Sequence, residues 1–456
     1  MGAPDMAPHT PPRSGQPGEP GPPLDLVEWL RTQRWFAGKA RRVREASQYD
    51  RIVLDAGTLY VVGVAFADAP GAAPERYVVT TAVTDGAGDA LDEAAFCRAL
   101  LDVVRRGAER SGEHGRLVGR PSRARPIAIP RELPTRRLTG EQSNSSVVFG
   151  DALIMKVFRR LADGINPDLE ITRFLTEQTT FRGTPRLAGA LEYHAADGAV
   201  ATLAVVQEYV GGARDGWRFM LERLAAGDVS LGALRRLGAR TAELHQALAT
   251  PTSEPAFAAE PITPVDVTAW AAGVARQIAA AREAARDRAL PDVRDVAGGL
   301  GGLIGRAKIR HHGDFHLGQT LAVGDGEDFA IIDFEGEPLR PLDERRRKHT
   351  PLRDVAGMLR SISYAAASAG LTAPTRGRWE AEARAAYLAA YRAQSAGARF
   401  VPESDDAFAR AVAVLEVEKA AYEIVYEANN RPDWIDIPLA GFVRATTSLD
   451  RSAGAA

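Results

Sequence analysis

Three of the chain's eight histidines crowd the stretch "IRHHGDFHLGQT" (309–320) around a single aspartate, Asp314. Just downstream, the apolar run in "FAIIDFEGEP" breaks on Asp333. The intervening "GDGED" reads as a hairpin turn whose return strand brings Asp333 back beside Gln319. A carboxylate, an amide and a second carboxylate then converge on one point. Hard oxygen donors of this kind suit Mg²⁺ rather than zinc. Asp314, ahead of the pair, is placed to take a proton from a hydroxyl nucleophile. That chemistry is phosphoryl transfer, in which catalysis is mostly positioning and charge neutralisation. Two other readings compete: a capped turn at His-Gly-Asp, and a zinc site on His311, His312 and His316. The histidine spacing fits no zinc pattern such as H-E-x-x-H.

The elements that must position these groups fall into two kinds. Residues 1–23 are rich in Pro and Gly and read as a disordered tail. From 24 to 118, a short amphipathic helix, β-rich alternation and the helical "LDEAAFCRALLDVVRRGAE" form a small α+β unit. Residues 119–210 read as a β-rich lobe containing "RRLTGEQSNSSVVFGDALIMKVFRRL". In it, "NPDLEITRFLTEQ" opens a helix with Asn166 or Asp168 as cap and Pro167 in its first turn. From 211 to 456 helical patterns dominate, interrupted by the hairpin that carries Asp333.

Composition narrows the classes. A chain of 456 residues with 45% hydrophobic and 25% charged content is ordinary globular material. A formal charge of −2 gives no basic field for nucleic acid or an anionic membrane, so neither is expected as a partner. The single cysteine, Cys97, excludes an internal disulfide and a multi-cysteine metal site. No run of about 18 apolar residues and no secretory signal pattern is visible, and a cytoplasmic location is expected.

The stretch "HHGDFHLGQT…IIDFEGEPLRPLDERRRKHTPLRDVAGMLRSISYAA", with "RTQRWFAGK" and "RPDWIDIPL", resembles the actinobacterial maltokinases and glucosamine kinases. The resemblance runs from Leu24 to near the C-terminus. It implies an α+β, eukaryotic-protein-kinase-like fold of the aminoglycoside phosphotransferase type, bilobal, with an N-terminal cap. It also implies ATP and Mg²⁺ as cofactors, Asp314 as catalytic base, and Gln319 and Asp333 as metal ligands. On the same footing Lys156, ending the strand "ALIMKVF", is assigned to the nucleotide phosphates, with Glu170 as its ion-pair partner. Gly140, Ser143, Asn144, Ser145 and Ser146 are assigned to a phosphate loop, although no G-x-G-x-x-G is present. "QEYV" (207–210), with Gln207 and Tyr209, is assigned to the hinge that meets adenine.

The acceptor is read as a small sugar, bound by Lys419, Tyr422, Glu423 and Tyr426 on one helical face, with His312 and Trp434. Maltokinases carry K-x-x-Y-E and R-P-x-W similarly, but their pattern is usually not acidic where this chain has Asp436. An added carboxylate suits a cationic amino sugar and points to glucosamine, with maltose as the alternative. A non-catalytic sugar-binding pseudokinase is the rival of a different class. It should lack one of Lys156, Asp314, Gln319 or Asp333, and all are present. The run "DERRRKH" (343–349) is expected to be a solvated loop with charge pairing rather than a regulatory site, with no catalytic role for Arg340, Arg345 or Arg346.

Overall fold

The structure, a computed structural model, describes residues 25–454 apart from 83–87, 124–132, 139–142, 287 and 339. The expected tail and Gly140 lie outside these residues. Helix α1 (Leu26–Thr32) starts on an Asp25 cap that accepts from the Glu28 amide. Strands β1 (Val43–Leu54), β2 (Gly57–Phe66) and β3 (Glu75–Ala82) form an antiparallel meander whose inward residues meet Trp35 and Phe36. Helix α2 (Ala94–Arg106) buries Phe96, Cys97, Leu100, Leu101, Val103 and Val104, the three- and four-residue spacing read from the sequence.

The second sheet has seven strands: β4 (Glu109–Ser111), β5 (Gly115–Pro121), β6 (Thr135–Arg137), β7 (Asn144–Phe149), β8 (Leu153–Phe158), β10 (Leu187–Ala195) and β11 (Val200–Glu208). Their order is β4-β5-β10-β11-β8-β7-β6. Between them lie β9 (Arg160–Leu161), which pairs with β3 of the first sheet, and α3 (Pro167–Gln178). The boundary drawn after residue 118 is therefore corrected. It falls inside β5, and the β4–β5 hairpin belongs to the larger sheet because β5 pairs with β10 along its length. Helix α2 packs on the same sheet. Gly119 permits this, since a Cβ there would lie 2.1 Å from the Val103 carbonyl.

Beyond β11 the chain is mostly helical. Strand β12 (Arg214–Asp215) leads into α4 (Gly216–Ala225), α5 (Leu231–Leu248), β13 (Glu260–Pro261), α6 (Pro264–Ala285), α7 (Val296–Gly301) and β14 (Ala307–Lys308). A 3-10 turn at Leu317–Gln319 precedes the hairpin of β15 (Thr320–Val323) and β16 (Asp328–Ile331), in register Thr320 to Ile331. Helices α8 (Leu342–Arg345), α9 (Leu352–Ser368), α10 (Ala373–Gln394), α11 (Asp405–Asn430) and α12 (Asp436–Gly454) complete the lobe around one large apolar core. Among the described residues no helix is long and apolar enough to cross a membrane.

Candidate active site

Alternation along β8 decides where its side chains go. Leu153, Met155 and Val157 join the core beneath α2, while Lys156 projects to the opposite face. There its ammonium lies 2.5 Å from Asp333, 2.7 Å from Glu335 and 3.2 Å from Asp168. Burial alone would lower the Lys156 pKa, but Asp333, Glu335 and Asp168 outweigh it and raise it. The partner expected for Lys156, Glu170, is elsewhere, bonded to Arg310 (2.6 Å) and Arg346 (2.7 Å). Two helical positions are about 200° apart, so Asp168 and Glu170 of α3 cannot share a face. Asn166 caps that helix by accepting from the Asp168 amide, and this turns the Asp168 carboxylate toward the cleft. "DERRRKH" is charge-paired as expected, Arg346 with buried Glu170 and Arg347 with Asp343, but the stretch begins in α8 and is not loop throughout.

The hairpin brings Gln319 and Asp333 together. Burial raises the Asp333 carboxyl, but Lys156 and a hydrogen bond from the Gln319 side chain hold it low. Asp333 sits at φ 66°, a left-handed conformation costly for a non-glycine residue and tolerated where surroundings over-determine it. One ammonium here faces three carboxylates, a cation deficit that suits an added divalent ion. Among the described residues no group of three His, Cys, Asp or Glu is spaced to cage a metal. An amide oxygen and one carboxylate, completed by phosphate oxygens, are instead the donor set typical of Mg²⁺.

Asp314 lies on a loop that is fixed from behind. Buried Asp354, in the first turn of α9, accepts from the amides of His312 (2.7 Å) and Gly313 (2.9 Å). His245 reaches the same carboxylate at 3.1 Å and holds the Tyr391 hydroxyl with its other nitrogen. Burial raises the Asp354 carboxyl, yet its bond to His245 and the charges of His311 and His312 hold it well below the usual range. Gly313 adopts φ 87°, and a Cβ there would press on Gly336 at 3.3 Å. In front of the loop, the Lys419 ammonium bridges Asp314 (3.1 Å) and Glu337 (2.6 Å). Burial would lower the Lys419 pKa, but Glu337 and Asp314 raise it. Asp314, Glu337, Arg340, Arg353, Lys419 and Tyr422 line the hollow.

Several expected site residues are placed otherwise. His312 is 1% exposed; its ring bonds the Ile332 carbonyl between Phe315 and Phe334, so it braces the loop and does not face a substrate. Ser145 and Ser146 lie in strand β7, not in a loop, and are buried. The Ser145 hydroxyl accepts from Arg159 and Arg137, toward the first sheet. Asn144 donates to Glu335 at 2.7 Å, which keeps it at the cleft, and Ser143 is exposed beside it. Gln207 donates to Thr172 of α3, and the Tyr209 amide to the Ala152 carbonyl. Of the acceptor set, Lys419 and Tyr422 reach the hollow at Asp314. Glu423 is bound by Arg360 at 2.8 Å, and burial raises its carboxyl. Tyr426 is 40% exposed, and Trp434 stacks on Tyr364. Asp436 is 81% exposed at the start of α12, 3.2 Å from Arg288, a position favoured by the helix dipole and outside the hollow.

The sequence reading missed Asp168, Glu335, Glu337, Asp354 and His245. A signal existed for two of them: "DFEGE" repeats carboxylates at alternate positions around the lysine- and base-bearing segments.

Residues 29–121 match the family model of the maltokinase N-terminal cap domain. The glucosamine kinase of Mycolicibacterium smegmatis is 30% identical over 324 residues, covering 66% of this chain and 77% of that protein. The glucosamine kinase of Streptacidiphilus jiangxiensis is 31% identical over 322 residues, covering 65% and 70%. Among solved structures, a glucosamine kinase in complex with glucosamine, ADP and inorganic phosphate superposes with a TM-score of 0.65 at 23% identity, covering 92% of this chain and 99% of that one. A second crystal form of a glucosamine kinase gives 0.67 at 24%, with the same coverage. These structures share the fold: kinase-like and bilobal, with an added N-terminal cap. By its sequence likeness to the two curated relatives, the chain belongs to the glucosamine kinase family.

Proposed function

We propose that the protein is an ATP-dependent sugar kinase that phosphorylates the 6-hydroxyl of glucosamine, giving glucosamine 6-phosphate and ADP. The observation that carries this reading is the placement of Asp314: on a loop pinned by Asp354, beside Lys419, in a hollow that also holds Glu337. Lys419 occupies one Asp314 oxygen and leaves the other for an acceptor hydroxyl. The hydroxyl proton passes to Asp314 as its oxygen bonds the γ-phosphorus. The bond to the bridging oxygen breaks, and ADP leaves with the electron pair. Lys156 meets the nucleotide phosphates by exchanging Asp333 and Glu335 for phosphate oxygens. Mg²⁺, when bound, supplies charge neutralisation at those oxygens, and Gln319 and Asp333 are the donors that would hold it.

The carboxylates Glu337 and Glu418 near Asp314 replace Asp436 as candidates for an amino sugar's ammonium group. Names of the two curated relatives support the same acceptor. The match of the cap to maltokinases keeps maltose, with maltose 1-phosphate as product, as the second reading. ADP release with Mg-ATP, measured across glucosamine, N-acetylglucosamine, glucose, maltose and kanamycin, tests the assignment. Glucosamine should be turned over far faster than the neutral sugars; efficient turnover of maltose with none of glucosamine would replace it.

A further inference from the structure

Past Asp314 the hollow continues into a larger opening of about 320 Å³ between α6 and the residues at 336–337 and 344–349. That volume falls in the usual range of small-molecule sites. The two share Gly313, Glu337, Arg340, Arg353 and Glu418. One wall is aromatic: Trp270 stacks on buried His349 with ring centroids 3.7 Å apart at 24°. The other walls hold six Lys and Arg side chains against three carboxylates, Glu337, Glu344 and Glu418, and most of the cationic charge is matched. Arg340 pairs with Glu337, Arg353 with Glu418, Arg347 with Asp343 and Lys348 with Glu260.

Two guanidiniums on the lining are not matched. Among the described residues, Arg276 of α6 and Arg345 have no carboxylate within salt-bridge distance. Arg345 makes one bond, to the Glu335 carbonyl at 3.0 Å, and its buried Nε has no partner. The Nδ1 of His311, a lining residue 8% exposed, has none either. Buried polar groups left without partners are costly, and an arginine fork suits carboxylate and phosphate.

We propose that this opening is a second ligand site, contiguous with the acceptor hollow, for a sugar-sized molecule carrying a carboxylate or phosphate group. The ring face of Trp270 takes the sugar's C–H surface, and Arg276 and Arg345 take the anion. Such a ligand is either the acidic end of a longer acceptor or a separate small effector.

Glucuronate, a hexose with a carboxylate, is a direct probe, with glucose as its neutral control. Binding to the full chain is measured by calorimetry without nucleotide, so the result stands whether or not the kinase assignment does. Glucuronate should bind wild type, and Arg276→Glu should weaken it by about 10- to 100-fold, the value of a charged hydrogen bond, while glucose is unaffected. Arg276→Lys should restore most of the affinity. Repeating the titration with saturating glucosamine separates the sources: retained binding identifies an effector, and lost binding an extended acceptor. No glucuronate binding at tens of millimolar, or equal binding to wild type and Arg276→Glu, would overturn the proposal. Arg276 is exposed on α6, so its replacement leaves the fold intact.

Discussion

Two buried cations sit three residues apart on one stretch of chain, and they have opposite uses. Arg159, just past β8, is 0% exposed. It meets Asp89, Ser145 (2.9 Å) and the Val78 carbonyl, and its guanidinium lies 4.8 Å from the Trp35 ring. Asp89 in turn accepts from Thr80 and pairs with Arg137 at 3.0 Å, and Arg137 also meets Asp92 at 2.9 Å. This cluster is closed and charge-matched, and it rivets the first sheet to the strand that carries Lys156. Lys156 projects to the other face, where two of its three carboxylate partners keep 32% and 23% of their side-chain surface exposed. A buried ion pair with every partner satisfied holds structure; one with an excess of open carboxylates is poised to exchange them. The cap and the proposed nucleotide cleft are therefore two faces of one strand.

The comparison can be broken in several places. Asp314→Asn should lower turnover by about 10²–10⁴ with ATP affinity unchanged, as calorimetry and single-turnover assays would read. Equal loss of ATP binding would move Asp314 out of the base role. Arg159→Met, by removing one of the two cations on buried Asp89 and the donor to Ser145, should cost up to about 3–5 kcal/mol of stability, the cost of breaking a buried pair. Chemical denaturation would show this, with ATP affinity of the folded protein nearly unchanged.

Acid provides a third test. Burial depresses the His311 pKa from 6.5 to about 4 and also lowers those of His316 and His349. The unfolded chain then binds more protons between pH 6.5 and 4. Stability is full above pH 6.5 and is lost as pH falls toward 4, by on the order of 3 kcal/mol from His311 alone. Melting curves against pH should show this fall, and His311→Gln should shrink it.

Lys156→Met should weaken ATP binding by about 1.5–3 kcal/mol, the value of a charge-assisted bond. If Arg159→Met weakened ATP binding equally while folded, the two faces would not be separable. Asp436→Asn should be the mildest change, within about 0.5 kcal/mol in stability, with the KM for glucosamine unaltered.

What the sequence disclosed follows from what is local. The Asp314 loop, the short hairpin returning Asp333 to Gln319, the Asn166 cap and the Lys156 strand are set by turn chemistry and alternation within a few residues. The Asp168–Lys156 pair was hidden because the face a helix turns toward a strand depends on its entry angle, which Asn166 and Pro167 fix only in three dimensions. Ser145 was misplaced for a related reason: a polar residue at a strand start looks like loop until its partner, Arg159, is seen beneath the cap. Asp354 and His245 act across 109 residues of sequence, and nothing local to either marks the loop they hold. Asp436 shows the reverse error, a chemically apt carboxylate that the start of α12 turns toward Arg288.

The identity of the phosphorylated product tests the central claim most directly. Glucosamine and maltose are supplied together with Mg-ATP, and the ³¹P NMR spectrum of the mixture is followed with wild type and with Asp314→Asn. The expected result is a growing resonance of glucosamine 6-phosphate with wild type and one growing about 10²–10⁴-fold more slowly with Asp314→Asn. A spectrum showing only maltose 1-phosphate, or one in which Asp314→Asn matches wild type, would contradict it.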